Sequence, residues 1–278
     1  MRIKFWGARG SIPVSGPEFI RFGGDTCCVE IRGPENELII VDCGSGLRRL
    51  GNSLLREGVS RVHLFLTHTH WDHILGFPFF KPLHDPAVEI LLYGFPRWQG
   101  NTHKLLYDVL KAPHFPVQPG SIKARITYRE CREDIRLSGV RVTAAPLSHP
   151  NLGVGYSFRE AGKNFVFLTD NELDYRHRGG LDFAGYREFC RGADLLVHDS
   201  EYMDEDYQRT RTWGHSRFSD AVRLAAEAKV TELGLFHHNQ DRPDKGVLEM
   251  EEKARQELVR LGSETGCFAV FQDQEIEL

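Results

Sequence analysis

The segment that most constrains this chain is Thr67-His68-Thr69-His70-Trp71-Asp72-His73, where four side chains able to bind a metal fall within six positions. The apolar run 62–66 before it predicts a buried strand, and residues 74–77 after it can open a helix. A turn between a strand and a helix lies at the carboxyl end of the strand, where α/β sheets bind their ligands. The sequence therefore predicts a ligand site at this turn.

The spacing within this segment predicts two metal positions. Side chains two residues apart in an extended loop project to the same side, so His68 and His70 can share one metal. Asp72 and His73 are adjacent at a helix start and diverge by roughly 100°, so they can reach a second metal. Histidine and carboxylate ligands are typical of zinc, and manganese or iron would also fit them.

Polar side chains follow four other predicted strands, at 148–149, 169–171, 198–199 and 237–238. We expect these strand ends to meet at the turn that carries His68, because ligands gather at the carboxyl ends of strands. The first predicted metal set consists of His68, His70 and His149, and the second of Asp72, His73 and His237. Asp170 is predicted to bridge the two metals, since a carboxylate has two oxygens that can bind different ions.

The hydrophobic pattern predicts strands and helices in both halves of the chain. The predicted strands are 2–6, 27–32, 37–42, 62–66, 88–93, 122–128, 134–137, 140–146, 153–159, 163–169, 194–198, 232–236 and 267–272. The predicted helices are 46–57, 101–111, 182–190, 217–228 and 245–261, the first with Ser45 as its N-cap. This order indicates an α/β protein with two sheets face to face and helices outside. We expect a single domain, 1–278, because no strong linker divides the halves.

Composition excludes several classes of protein. The 278 residues carry a formal net charge of −4, which argues against a protein that mainly coats nucleic acid. No run of about 18 apolar residues is present, and the first residues lack the apolar core of a signal peptide. None of the six cysteines forms a C-x-x-C pair, so we expect free thiols and a cytoplasmic location.

Beyond these patterns, the chain resembles metallo-β-lactamase-fold hydrolases, and most closely the ribonuclease Z and cyclic-phosphate phosphodiesterase branch. Besides the segment His68 to His73, the similarity rests on 7–13, 22–26, 42–46 and 235–238. The resemblance implies a four-layered αββα sandwich of two mixed sheets, with the metals in a cleft between the sheet edges. Trp213-Gly214-His215-Ser216 resembles the Gly-His-Ser motif of ribonuclease Z relatives, which supplies a catalytic histidine. His198-Asp199 resembles the pair that supports that histidine.

The expected activity is that of a dinuclear-metal-dependent phosphodiesterase acting on small or cyclic phosphodiesters by a metal-bound hydroxide. Asp72 would ligate a metal and accept a hydrogen bond from the nucleophile, and His215, oriented by Asp199, would protonate the leaving alkoxide. Three alternatives stay open: another hydrolase of this fold, such as a lactonase or thioesterase, a tRNA 3′-processing endonuclease, and a non-catalytic metal-dependent accessory protein.

The expected partner is a small anionic substrate, not a membrane. The chain lacks a long glycine-rich insertion like the tRNA-gripping arm of ribonuclease Z, so nucleic acid is an unlikely partner. Whether a homodimer forms stays open. Residues 97–129 hold six cations and a single acid, Asp108. This segment is either a solvated face or a cationic lid that attracts a phosphate ester, with 114–116 at its tip.

Overall fold

Two seven-stranded β-sheets form the centre of the protein in a computed structural model, which describes residues 1–99, 101–113, 115–116, 119–131 and 134–278. The first sheet contains β1 Arg2–Gly7, β2 Cys28–Arg32, β3 Leu38–Val41, β4 Arg61–Phe65, β5 Glu89–Gly94, β6 Arg125–Glu130 and β14 Glu275–Glu277. The second contains β7 Asp134–Leu137, β8 Val140–Pro146, β9 Val154–Glu160, β10 Lys163–Leu168, β11 Leu195–Asp199, β12 Glu232–Phe236 and β13 Gly266–Ala269. The spatial orders are β14-β1-β2-β3-β4-β5-β6 and β13-β12-β11-β10-β9-β8-β7.

Helices cover the outer faces of both sheets. Those described are α1 Gly46–Glu57, α2 Trp71–Ile74, α3 Pro96–Gln99, α4 Thr102–Asp108, α5 Phe183–Cys190, α6 Tyr207–Thr210, α7 Phe218–Ala228 and α8 Asp244–Arg260. Helix α1 buries Leu47, Leu50 and Leu54 on the first sheet, whereas α7 and α8 pack on the second. The predicted αββα sandwich is therefore confirmed.

The middle layer is an apolar core shared by the two sheets. Phe5 and Phe65 from the first sheet and Tyr156, Phe167 and Phe236 from the second are fully buried there. Burial of such a side chain contributes about 1.5–3 kcal/mol, so the shared core couples the sheets strongly. On this basis we propose that residues 1–278 form one domain.

Strand direction sets where the functional residues gather. Strands β3 to β6 are parallel to one another, and so are β10 to β13. Strand β8 runs the same way as β10, because each is antiparallel to β9 between them. The segments that leave β3, β4, β8, β10, β11 and β12 contact one another; for example, the amide of Val154 donates to Thr67, and that of Ser200 to Phe236.

Several boundaries differ from the predicted ones. The predicted helix 101–111 is found as the shorter α4, with the unpredicted α3 before it, and the helix expected from Ile74 is found earlier, as α2 from Trp71 to Ile74. Ser45 precedes α1 but does not cap it, because its hydroxyl donates to Asp25 Oδ1 and accepts from the amide of Thr26. The short strand β14 was not predicted, since its pairing with β1 joins the two ends of the described chain.

Most of the cysteines are buried. Five thiols are buried, and Cys131 is partly exposed. Burial raises the pKa of each of the five, for Cys267 to about 12, so these thiols are chemically quiet small apolar groups. In the described parts of the chain, none of the helices combines the length and apolar character that crossing a bilayer requires.

Candidate metal centre

Loops from both sheets bring all seven predicted ligands into one cluster. The turn after β4 carries four of them, and the segments after β8, β10 and β12 carry one each. The seven residues are His68, His70, Asp72, His73, His149, Asp170 and His237. Six of them are buried and His70 is partly exposed, so the cluster lies in a cleft that is more open on the side of His70.

The first predicted set converges on one oxygen of Asp170. His68 Nε2 lies 3.5 Å from Asp170 Oδ2, and His149 Nε2 lies 4.0 Å from the same atom. His149 Nε2 also lies 3.1 Å from Nδ1 of His70. The buried Nε2 of His68 has no hydrogen-bond partner in the described structure. Three ring nitrogens and one carboxylate oxygen thus face a common point.

The second predicted set converges on the other oxygen of Asp170. His73 Nε2 lies 3.1 Å from Asp170 Oδ1 and 3.2 Å from Asp72 Oδ2. His237 Nε2 lies 3.3 Å and 3.1 Å from the same two oxygens. Ligands held at about 2.0–2.1 Å around a tetrahedral zinc would lie roughly 3.3–3.4 Å apart. The separations therefore fit a metal ion between these four atoms.

Backbone conformation places two of the seven clustered residues, and the neighbouring Asp42, at the ends of their strands. Asp42, Asp170 and His237 have φ values of 66°, 52° and 60°, which are left-handed conformations that non-glycine residues rarely adopt. Each such residue costs about 1–3 kcal/mol, and such costs are concentrated at functional sites. The left-handed turn redirects each side chain from the strand into the cleft.

Hydrogen bonds on the far side of three imidazole rings turn their Nε2 atoms toward the cluster. His73 Nδ1 lies 2.8 Å from Asp42 Oδ2, and His237 Nδ1 lies 3.0 Å from Glu201 Oε2. His149 Nδ1 donates to the carbonyl oxygen of Gly214 at 2.9 Å. Partners of this kind fix the tautomer and orientation of histidines that ligate metals.

Sequence reasoning missed Asp42 and Glu201 as parts of this site. Both are buried, Asp42 directly after β3 and Glu201 two residues after β11, so the strand-end rule used for Asp170 could have found them. Two other polar residues near His237 in the sequence make different contacts. His238 bonds to the carbonyl of Val270, and Asp244 accepts from the amides at 21–22.

The charges of the cluster also fit cations. Burial raises the pKa of Asp170, but His237, His73 and His68 outweigh it and hold that pKa well below the usual range. Burial likewise raises the pKa of Asp72, and His73 and His237 reverse the effect. In the described structure, each ion pair of Asp72 and Asp170 is with a histidine. Buried ionised carboxylates need a counter-charge, which divalent ions would supply.

The imidazoles of the first set are suited to bind a metal. Burial lowers the pKa values of His68, His70 and His149, for His149 to about 3. These rings are therefore neutral at pH 7, each with a lone pair on one nitrogen. A neutral imidazole is the form that ligates a metal.

His215 and Asp199 form a separate pair beside the cluster. His215 Nδ1 lies 2.8 Å from Asp199 Oδ2, and its ring stacks on that of His237 with centroids 4.7 Å apart. The His149 ring is 5.3 Å away. Burial lowers the pKa of His215, but Glu201 and Asp199 outweigh it and raise that pKa to about 9. His215 therefore lies next to members of both predicted metal sets.

A cavity of about 730 Å³ opens from His215. Its lining includes Tyr202, Arg209, Trp213 and Arg242. With Nδ1 of His215 held by Asp199, Nε2 is the remaining ring nitrogen of this cavity-lining residue. The site therefore combines a cluster of ligands, an adjoining histidine and a space that a substrate can enter.

Residues 97–129 lie partly outside the described structure, including His114. Leu106 and Leu110 of this segment belong to the outer core on the first sheet. Of its cations, Lys111 forms an ion pair with Asp108 and Arg125 with Glu89. None of the segment's described residues lines the cavity beside His215. Its role as a substrate lid stays a hypothesis.

Comparison with known proteins establishes the class. The sequence profile of the beta-lactamase superfamily domain matches residues 37–238, and the chain belongs to this family. Ribonuclease Z of Haloferax volcanii is 27% identical over 279 residues, which cover 85% of this chain and 84% of that protein. Ribonuclease Z of Porphyromonas gingivalis is 25% identical over 258 residues, covering 77% and 84%.

Solved structures show the same fold. YhfI from Bacillus subtilis, a metallo-β-lactamase fold protein, superposes with a TM-score of 0.71 at 17% identity, covering 100% of this chain and 99% of that one. A diphosphatase from the PhnP family gives 0.70 at 20% identity, covering 100% and 97%. Zinc-bound PqqB from Methylobacterium extorquens gives 0.72 at 14% identity, covering 100% of both chains. The protein is thus a hydrolase of the metallo-β-lactamase fold. This fold implies divalent metal ions.

Proposed function

We propose that this hydrolase is a phosphodiesterase that acts on small or cyclic phosphodiesters. The observation that carries the proposal is the His215–Asp199 pair, which lies beside both predicted metal sets without belonging to either. Hydrolysis of an unactivated diester needs a proton for the leaving alkoxide as well as a nucleophile. His215 is placed to supply that proton from Nε2, while Asp199 keeps Nδ1 protonated and the ring oriented.

The proposed ligands are the seven clustered residues, in the two sets that meet at Asp170. The chemistry that divalent ions supply in such a site is a bound water with a pKa of about 7 and neutralisation of phosphoryl charge. Asp72 accepts a hydrogen bond from the amide of Ser11 at 2.9 Å, which fixes its carboxylate at the cluster. We assign Asp72 as both a ligand and an acceptor for a proton of the nucleophile.

Zinc is the metal we propose, with manganese and iron as alternatives. Five imidazoles and two carboxylates are a donor set that zinc commonly takes. The PqqB neighbour in the same fold holds Zn²⁺. The carboxylates of Asp72 and Asp170 would also suit manganese or iron, since these ions accept mixed nitrogen and oxygen ligands.

The relatives support a second candidate, a ribonuclease acting on tRNA. Ribonuclease Z of Haloferax volcanii matches 85% of this chain, and human tRNase Z, short form, shares the fold with a TM-score of 0.67. These relatives weigh against the expectation that nucleic acid is an unlikely partner. The net charge of −4 favours a small substrate, because a long polyanion is bound mainly by cationic surface.

A rate comparison on one metal-replete preparation separates the candidates. The substrates are bis-nitrophenyl phosphate, a nucleoside 2′,3′-cyclic phosphate, a precursor tRNA, a homoserine lactone and a cephalosporin. We expect the two small diesters to have the highest kcat/KM and the cephalosporin to react little. A lactone turned over about a hundredfold more efficiently than every diester would overturn the proposal, and site-specific cleavage of the tRNA would establish the ribonuclease.

A further inference from the structure

One large aromatic side chain at the cavity is exposed without a structural reason. Trp213 is 61% exposed, although an indole buries a large apolar surface when it packs. It lies two residues before His215 and lines the same cavity. An exposed aromatic residue beside a reacting centre is the usual form of a stacking surface for a planar ligand.

The backbone around Trp213 is fixed by one buried carboxylate. Glu172, which is 1% exposed, accepts hydrogen bonds from the amides of Thr212 at 2.8 Å and Gly214 at 2.9 Å. It also accepts from the hydroxyl of Tyr207 at 2.6 Å. The amide of Trp213 itself donates to the carbonyl of Thr210. Since the residues on both sides are held, the indole is presented from a rigid loop.

The rest of the cavity lining favours a polar ring over an aliphatic chain. Gln240 contributes an amide whose Oε1 has no hydrogen-bond partner in the described structure, and the Arg209 side chain, which pairs with Asp206, is 81% exposed. The volume of about 730 Å³ lies within the range of small-ligand sites, roughly 300–1,000 Å³. Amide and guanidinium groups can hydrogen-bond to ring nitrogens and carbonyls, which an acyl chain does not offer.

We propose that Trp213 is the stacking platform for a nucleobase of the substrate, whose phosphate lies at the metal cluster beside His215. This inference rests on the proposed phosphodiesterase function and names its substrate class, a phosphodiester that carries a nucleobase. Stacking on an indole tolerates any base, because every base has a flat π face. The cavity therefore confers preference for nucleotides over phosphodiesters without an aromatic ring.

The test compares two cyclic phosphates that differ in the base: adenosine 2′,3′-cyclic phosphate and glycerol 1,2-cyclic phosphate. The variants are Trp213→Leu, which keeps an apolar side chain, and Trp213→Phe, which keeps an aromatic face. We expect Trp213→Leu to lower the adenosine-to-glycerol ratio of kcat/KM by about 10- to 100-fold. Trp213→Phe should retain most of the ratio. Val259→Ala, which alters a side chain 78% exposed on α8, is the control and should leave the ratio unchanged.

A second readout does not depend on turnover. Adenosine 5′-monophosphate and inorganic phosphate are titrated into metal-loaded protein by calorimetry, and we expect the nucleotide to bind more tightly and to lose that advantage in Trp213→Leu. An unchanged ratio and unchanged nucleotide binding would overturn the inference, as would equal losses for both cyclic phosphates. If the wild-type protein hydrolyses no diester, the proposed function fails, and the binding measurement alone decides whether Trp213 stacks on the base.

Discussion

His215 is the residue for which a catalytic role and a metal-binding role must be distinguished. It stacks on His237 and is held by Asp199, so a group of three nitrogen and oxygen donors exists here as well. The same geometry would suit a proton donor or an additional ligand. The two roles differ in what happens to the metals when the imidazole is removed.

We expect His215→Ala to lose roughly 10²–10⁴-fold in kcat on a diester with a poor leaving group, because the alkoxide then departs unprotonated. The loss should shrink for bis-nitrophenyl phosphate, since nitrophenolate needs little protonation. The measurement is kcat for both substrates together with metal content, with His84→Ala, an exposed histidine away from the cluster, as control. A parallel fall in metal content and activity would make His215 a ligand.

For individual residues, the sequence predicts which side chains cluster but not all of the carboxylates that hydrogen-bond to them. Strand-end positions and the spacing of His68 to His73 were enough to collect the seven clustered residues. Glu201 is marked in the sequence only by its position after a strand, and its contact with His237 follows from the register of β11 beside β12. Asp42 bonds to His73, which is 31 positions away in the sequence. Such supports depend on long-range pairing.

Among the elements, the loop between α6 and α7 links the metal cluster to the cavity. Its Gly214 carbonyl accepts from His149, and its next residue is His215. Gly214 has a φ of +98°, and a Cβ added there would lie 2.1 Å from His149 Nδ1. A side chain at this position would therefore push a predicted ligand away from the cluster.

We expect Gly214→Ala to lose metal from the set that contains His149, as well as stability. Gly162→Ala is the matched control, because Gly162 has a φ of +85° in the β9–β10 hairpin but open space around it. Both variants should lose about 1–3 kcal/mol in urea unfolding from the left-handed conformation. Elemental analysis of the folded proteins distinguishes them. Equal metal content in the two variants would contradict the proposed role of the loop.

Element type follows from the sequence where hydrophobic periodicity is strong. Helix α1 and strands β7, β8 and β12 have the predicted bounds. Predictions were weaker where the pattern is short: β14 has three residues, and its partner β1 is at the opposite end of the described chain. Helix α2 spans Trp71–Ile74, so it ends where the predicted helix 74–77 begins, and it buries Asp72 and His73.

For the whole molecule, the two sheets and the metal cluster are one structural unit. Each sheet contributes ligands to both predicted sets, and Asp170 lies between the sets. The fold was predictable because the ligand pattern and the order of strands and helices in the sequence both indicate the same αββα sandwich. The substrate was not, because the same fold supports several chemistries and specificity depends on side chains that line the cavity.

We propose that Asp170 would hold two metal ions together with the other six clustered residues, and the metal content of the purified protein measures this. Elemental analysis is made on wild-type protein and Asp72→Ala after dialysis against a low, buffered zinc concentration. We expect close to two ions per chain in the wild type and a clear loss in Asp72→Ala, because Asp72 belongs to one set only. A reproducible content of one ion per chain, unchanged by Asp72→Ala, would contradict the proposed dinuclear site.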